Sequence, residues 1–312
     1  MLNSPQLSLV ILISLLFYVI VPGAGAFFVR HRWRTFRREL QEAFLYPPLE
    51  YGGNRGRTRF FGLLESVQGE DTIWIREGGR SVGINLAGVP IYLLPRNREG
   101  AGSYRGHPDT SPKVVFWKNL FALVEGTKVF VAGPVTDIQG AAFFHGEGSD
   151  KPLVIIYDCP DDSVLRRGVW TGRQRNEYWN NLTAPSLLAG SMANLLLTVV
   201  SFEVSRLTSL QALVATLLPF MPLLPPGVIG YYFYRKLWKA ARRRRAVSDV
   251  LKVHAAAEPE KIRSNSERLA DAKKLRRYAQ RQESVAVLIL IASITLNGYF
   301  LALIAALTVF TG

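Results

Sequence analysis

The chain carries one cysteine, Cys159, in 312 residues. A single thiol can neither close an intramolecular disulfide nor build a cysteine zinc site, which excludes a RING, a zinc ribbon and a disulfide scaffold. Cys159 stands beside Pro160 and reads as a lone loop thiol, with no base nearby in sequence to activate it. Histidine is scarce as well. His31, His107, His145 and His254 are scattered, none is four residues from another, and no His/Glu metal spacing occurs. The 26 glycines fall in neither a dinucleotide-binding nor a P-loop pattern. No catalytic constellation, metal site or cofactor is therefore expected.

Acidic and basic residues are missing from four apolar stretches of about membrane-spanning length. These are residues 7–29, 184–202, 212–234 and 285–310. The first could be a signal peptide, since Ala24-Gly25-Ala26 resembles a cleavage site. However, no Lys or Arg precedes it, and the cationic cluster Arg30, Arg32, Arg34, Arg37 and Arg38 follows it. That polarity is the reverse of a signal peptide's, so the stretch reads as an uncleaved anchor. The third stretch contains Pro219, Pro222, Pro225 and Pro226. Each removes a backbone donor and crowds the preceding turn, which predicts a kinked or partly unwound helix.

The net charge of +14 is unevenly placed. Residues 47–170 hold 14 Lys/Arg and 14 Asp/Glu, which cancel. Residues 30–46 hold five Arg against two Glu, and residues 235–283 hold 16 Lys/Arg against six Asp/Glu. The excess borders apolar stretches, as the positive-inside bias predicts, and this disfavours a nucleic-acid partner. One topology satisfies both basic segments. Both termini lie outside, while residues 47–165 and the basic segment 235–283 are cytoplasmic in the cell membrane. Glu258-Pro259 divides that segment into two helices, with Trp238, Ala241, Val250 and Leu251 as an apolar stripe.

Between the first two stretches, short runs such as Thr72–Ile75, Ser81–Leu86, Lys113–Trp117, Lys128–Ala132, Gly140–Phe144 and Leu153–Tyr157 read as strands. Glu77-Gly78-Gly79-Arg80 has hairpin turn chemistry. A helical turn is expected around Trp117–Val124. The fold class expected is membrane α-helical, with about four transmembrane helices plus an inserted all-β, OB-like barrel.

Two resemblances attach to this region. Val67 to Ile75 and then Ile84-Asn85-Leu86-Ala87-Gly88-Val89-Pro90 resemble the first hairpins of staphylococcal-nuclease-type OB domains. That family needs an acid where Val89 stands, and Pro90 to Pro95 contain no carboxylate. The resemblance therefore implies a barrel without nuclease chemistry. Leu123-Val124-Glu125-Gly126-Thr127, then Val129, Val131, Gly133-Pro134-Val135 and Pro152 to Ile156, are similar to the beside-a-membrane (GIDE-type) domain, which lies between two spans. Ligase members of that family end in a RING. This chain ends in an apolar stretch, so the resemblance implies a membrane-adjacent β domain and no ligase activity.

Three sets of residues are candidate sites. Arg242, Arg243, Arg244 and Arg245, with Lys239, read as a topogenic stop or as contacts to anionic lipid headgroups. Asn194 with Ser191, and Asn297, lie mid-stretch, where an amide usually bonds across a helix interface. These asparagines are expected to face the bundle interior. The expected function is a non-enzymatic scaffold or sensor that presents the β domain to a protein partner, a second copy of itself or lipid. The alternative is a small transport or channel component that uses the proline-rich third stretch.

Overall fold

The computed structural model describes residues 4–50, 56–94, 111–120, 123–138, 140–146, 148, 150–173, 177–202, 206–223, 225–257 and 262–311. They form two compact units. One holds residues 1–33, 176–241 and 278–312; the other holds residues 34–175 and 242–277.

The first unit is helical. It draws on α1 (Ser4–Leu15), a π-helical turn (Leu16–Ile20), the start of α2 (Val21–Ala43), α4 (Thr183–Ser201), α5 (Arg206–Leu217) and parts of α6 (Pro225–Ala257) and α7 (Ile262–Thr311). The remaining helix, α3 (Val164–Trp170), belongs to the second unit. Among the described residues, four helical stretches are long and apolar enough to cross a membrane: Leu7–Ala43, Thr183–Ser201, Ser209–Ala257 and Ser264–Leu301. The third is broken. α5 ends at Leu217, a 3₁₀ segment runs from Leu218 to Leu223, and α6 starts at Pro225. Pro225 sits at a helix start, where its missing N–H costs nothing. Pro219 and Pro222 fall in the 3₁₀ segment, where an α-helix would lose two ladder bonds.

Small residues set the close approaches between these helices. A Cβ on Gly190 of α4 would lie 2.6 Å from the Cβ of Phe17, and one on Gly230 of α6 would lie 1.7 Å from Ser293 Oγ of α7. Buried positions along α6 and α7 recur every seven residues: Ala241, Ser248 and Ala255 on one helix, Asn265, Ala272, Ala279 and Ala286 on the other. Ser248 Oγ donates to the carbonyl of Ala272 at 2.8 Å. A seven-residue repeat of buried positions is the period of a coiled-coil seam.

The second unit is built on eight strands: β1 (Gly56–Gln68), β2 (Thr72–Glu77), β3 (Arg80–Asn85), β4 (Pro90–Leu93), β5 (Lys113–Phe116), β6 (Lys128–Ile138), β7 (Ala141–Phe144) and β8 (Leu153–Tyr157). Five of them close a barrel in the order β1-β2-β3-β7-β6 and back to β1. The β3–β7 pair is parallel, and the other four junctions are antiparallel. β8 adds to β6, β4 adds in parallel to β8, and β5 ends the sheet. Strand β6 makes closure feasible because it is 11 residues long. Its first half pairs with β1 and β8, and its last residues pair with β7.

Alternation along the strands fills the barrel. Phe60, Leu64, Ile73, Ile75, Val82, Ile84, Val129, Val131 and Phe144 form one buried cluster. The β2–β3 turn has Gly78 and Gly79 at φ 56° and 83°, the left-handed pair that a two-residue hairpin loop requires. A second core lies on the outer face of β6, β8 and β4. Phe130 stacks on Phe44 at 5.1 Å and tilts against Phe61 at 4.7 Å. Phe36 of α2 meets Tyr92 at 4.3 Å. Leu40 packs against Gly168 of α3, where any Cβ would collide with it. The last turns of α2 are thus part of the β domain's own core.

Candidate functional site

Asn194 is fully buried in α4, at 0% exposure. Its Nδ2 donates to Ser14 Oγ and to the Tyr18 hydroxyl, both at 3.3 Å. Tyr18 lies 3.3 Å from Ser191 Oγ, and Ser191 donates to the carbonyl of Thr216 on α5 at 3.3 Å. Serine has one proton, so Tyr18 must be the donor to Ser191. The result is a directed chain from the Asn194 amide through Tyr18 and Ser191 to Thr216, tying α1 and the π turn to α4 and α5. Asn194 Oδ1 is buried with no partner of its own. Asn297 is also buried, at 2% exposure, in α7.

Tyr18 and Ser14 complete this seam without having been singled out in the sequence. A tyrosine halfway along an apolar stretch was the available signal, because tyrosine normally sits at membrane interfaces. Tyr18→Phe is expected to lower stability by about 1 kcal/mol, the size of a hydrogen bond between packed helices. Thermal melts of the purified protein would register it. An unchanged melt would show that the chain contributes nothing.

The arginine run is largely covered. Arg242 is 5% exposed, and Arg243, Arg244, Arg245 and Lys239 are partly buried. One turn beyond Arg245 on α6, Asp249 pairs with Arg173, which follows α3. These side chains therefore belong to a packed face and not to a fully solvated basic patch.

The barrel carries a cleft of about 860 Å3 lined by residues that include Glu65, Glu77, Glu125, Lys128, Tyr157 and Asp161. Asp161 Oδ1 accepts from Lys128 Nζ at 3.2 Å and from the Tyr157 hydroxyl at 3.0 Å. Burial first, and then the neighbouring Asp161, push the Tyr157 phenol well above its ordinary range. Desolvation, and then Asp161, push the Glu77 carboxyl up from the usual carboxylate value, although the residue is exposed at the end of β2. Lys128 and Tyr157 are thus both committed to Asp161. Among the described residues no three His, Cys, Asp or Glu side chains are grouped so as to hold a metal. Cys159, two residues after β8, is 3% exposed.

A pH effect follows from Glu77. Its folded pKa lies above its unfolded one, so the ionised carboxylate opposes folding at neutral pH, and that opposition disappears below the unfolded pKa. Because Glu77 is exposed, Glu77→Gln is expected to raise the melting temperature only slightly at pH 7 and to leave it unchanged at pH 4. Equal shifts at both pH values would contradict this.

Comparison with family models, with curated proteins and with solved structures gave no match.

Proposed function

We propose that this chain is an integral membrane scaffold or sensor, non-enzymatic, that holds an OB-like β domain at the cytoplasmic face. There it engages a protein partner, a further copy of itself or anionic lipid. The observation that carries the reading is the docking of α2 into the barrel's second core through Phe36, Leu40 and the neighbouring Phe44. A helix whose first part is apolar and whose last turns are built into the β domain would tether that domain beside the membrane. Exposed Leu12, Leu188, Leu196, Val200, Tyr232 and Leu288 supply an apolar surface of the kind that lipid covers. The OB-like assignment draws on the closed five-strand order with its single parallel junction. The likeness to beside-a-membrane domains fits the same placement.

Buried Cys159 is a poor topological probe. The test places single cysteines at exposed Glu70 and Glu125 in a Cys159→Ala background and applies an impermeant maleimide to intact cells. Labelling only after lysis supports a cytoplasmic domain; labelling before lysis reverses the orientation and with it the scaffold reading.

A second reading, a small transport or channel component, has one observation of its own. α5 spans 12 residues, roughly 18 Å, before the 3₁₀ break. Broken helices at membrane depth line cavities in many transporters. Solute flux into liposomes that depends on Pro219 and Pro222 would favour it over the scaffold.

A further inference from the structure

We propose that the exposed cations of α7, namely Lys273, Lys274, Arg276, Arg277 and Arg281, form a docking face for an anionic lipid surface. The proposal names the lipid contact of the scaffold reading, on which it rests, and places it on a different helix from the arginine run of α6.

All five side chains are exposed. None of them makes an ion pair or a hydrogen bond with a described residue. In this they differ from Arg242, which is 5% exposed and engaged. Asp271 stands three residues before Lys274 and forms no ion pair with it.

Helix geometry gathers the five. At about 100° per residue they cluster on one side of α7, roughly 130° round the axis from buried Ala272 and Ala279. Ala272 is the residue whose carbonyl accepts from Ser248 of α6, so the seam leaves the cations uncovered. Their spacing is unfavourable without a counter-charge. Lys273 and Arg277, and then Arg277 and Arg281, are like charges four residues apart, which weakens a helix.

Position supplies the partner. α7 runs unbroken from Ile262 to Thr311, and residues 285–310 are its apolar stretch. At about 1.5 Å per residue, Arg281 stands about 6 Å before Val285, and Lys273 stands about 18 Å before it. A headgroup layer is roughly 5–8 Å deep. Arg281 falls at that depth. The other four lie about 6–12 Å further along, where the field of a charged leaflet, with a Debye length of about 8–10 Å, still acts. Tyr278, 48% exposed, shares this turn, and tyrosine favours the same boundary. An acidic protein or a nucleic acid would match the charge but not the position.

The test melts the full-length protein in nanodiscs of phosphatidylcholine with and without phosphatidylglycerol. The natural chain should melt higher with phosphatidylglycerol, and high salt should remove the gain. Lys273→Gln, Lys274→Gln, Arg276→Gln and Arg277→Gln in one chain should lose the gain. In phosphatidylcholine alone that variant should match or exceed the natural chain, because the repulsion is relieved. Exchanging lysine and arginine at the four positions keeps the charge and should keep the gain, which separates lost charge from misfolding. In neutral detergent the glutamine variant should bind phosphatidylglycerol at least tenfold more weakly, since each basic residue near a charged surface is worth about fivefold.

The proposal is overturned by the absence of a gain in the natural chain, by a gain that survives the glutamine substitutions, or by a glutamine variant that melts lower in phosphatidylcholine alone. Tighter binding of a DNA duplex than of phosphatidylglycerol through the same four residues overturns it as well. A reversed orientation in the maleimide test leaves these melts untouched, so a failed lipid face and a failed scaffold reading remain distinct.

Discussion

Replacing Phe130 by alanine will destabilise the β domain by about 3–5 kcal/mol, the range for deleting a fully buried aromatic. Phe130 is 0% exposed, yet it points away from the barrel interior, because its neighbours Val129 and Val131 fill that space. Its ring stands between Phe44 and Phe61, and Phe61 in turn meets Tyr157 at 6.3 Å. Hydrogen exchange of the β6 and β8 amides in the full-length protein reads the loss. Phe116→Ala, at 49% exposure on β5, serves as the contrast and should stay within about 0.5 kcal/mol. Equal effects at the two positions would show that the outer layer is not a core.

The second large effect is expected at Gly230. An added Cβ would lie 1.7 Å from Ser293 Oγ and 2.5 Å from Ser293 Cβ. Rotating the hydroxyl relieves the first clash and leaves the second, so α6 and α7 must move apart. Gly230→Ala gains up to about 1 kcal/mol of helix propensity, and overpacking costs about 1–3 kcal/mol or more. A net fall in melting temperature therefore isolates the packing term. Ser293→Gly in the same chain removes the obstructing atoms and should restore most of the loss. Failure of that second change to rescue would mean that the two helices do not meet there.

Much of this architecture was legible because it follows from simple periodicities. Uncharged runs of about 20 residues mark the four apolar helices, and Glu77-Gly78-Gly79-Arg80 marks the hairpin. Strand β1 was harder to read, although it is the longest strand. Thr58, Phe60, Gly62 and Leu64 point inward, but Phe61 and Leu63 between them are apolar too, so the alternation is masked. Phe61 is apolar because the outer layer buries that face as well, a tertiary fact with no local signature. β4 was missed because four residues opening on proline resemble a turn.

The α6 stripe was read only in part, for a related reason. Of its four residues Ala241 is buried and Trp238, Val250 and Leu251 are partly buried, whereas Ala246, Ser248, Val253 and Ala255 are covered without having been named. Close helices bury small side chains, which a search for large apolar residues overlooks. In the candidate sites, Asn194 and Ser191 were identifiable as polar groups in apolar surroundings. Ser14 was not, because nothing in sequence connects residue 14 to residue 194.

The seven-residue spacing along α6 and α7 also limits how these helices can change length. One residue inserted into α6 between Ala241 and Ser248 would turn every later position by about 100° and put Val247 and His254 where Ser248 and Ala255 stand at the seam. Seven residues added to each helix at matching points would return every small residue to its partner. Length variation in this pair is therefore quantised, in matched insertions of whole repeats.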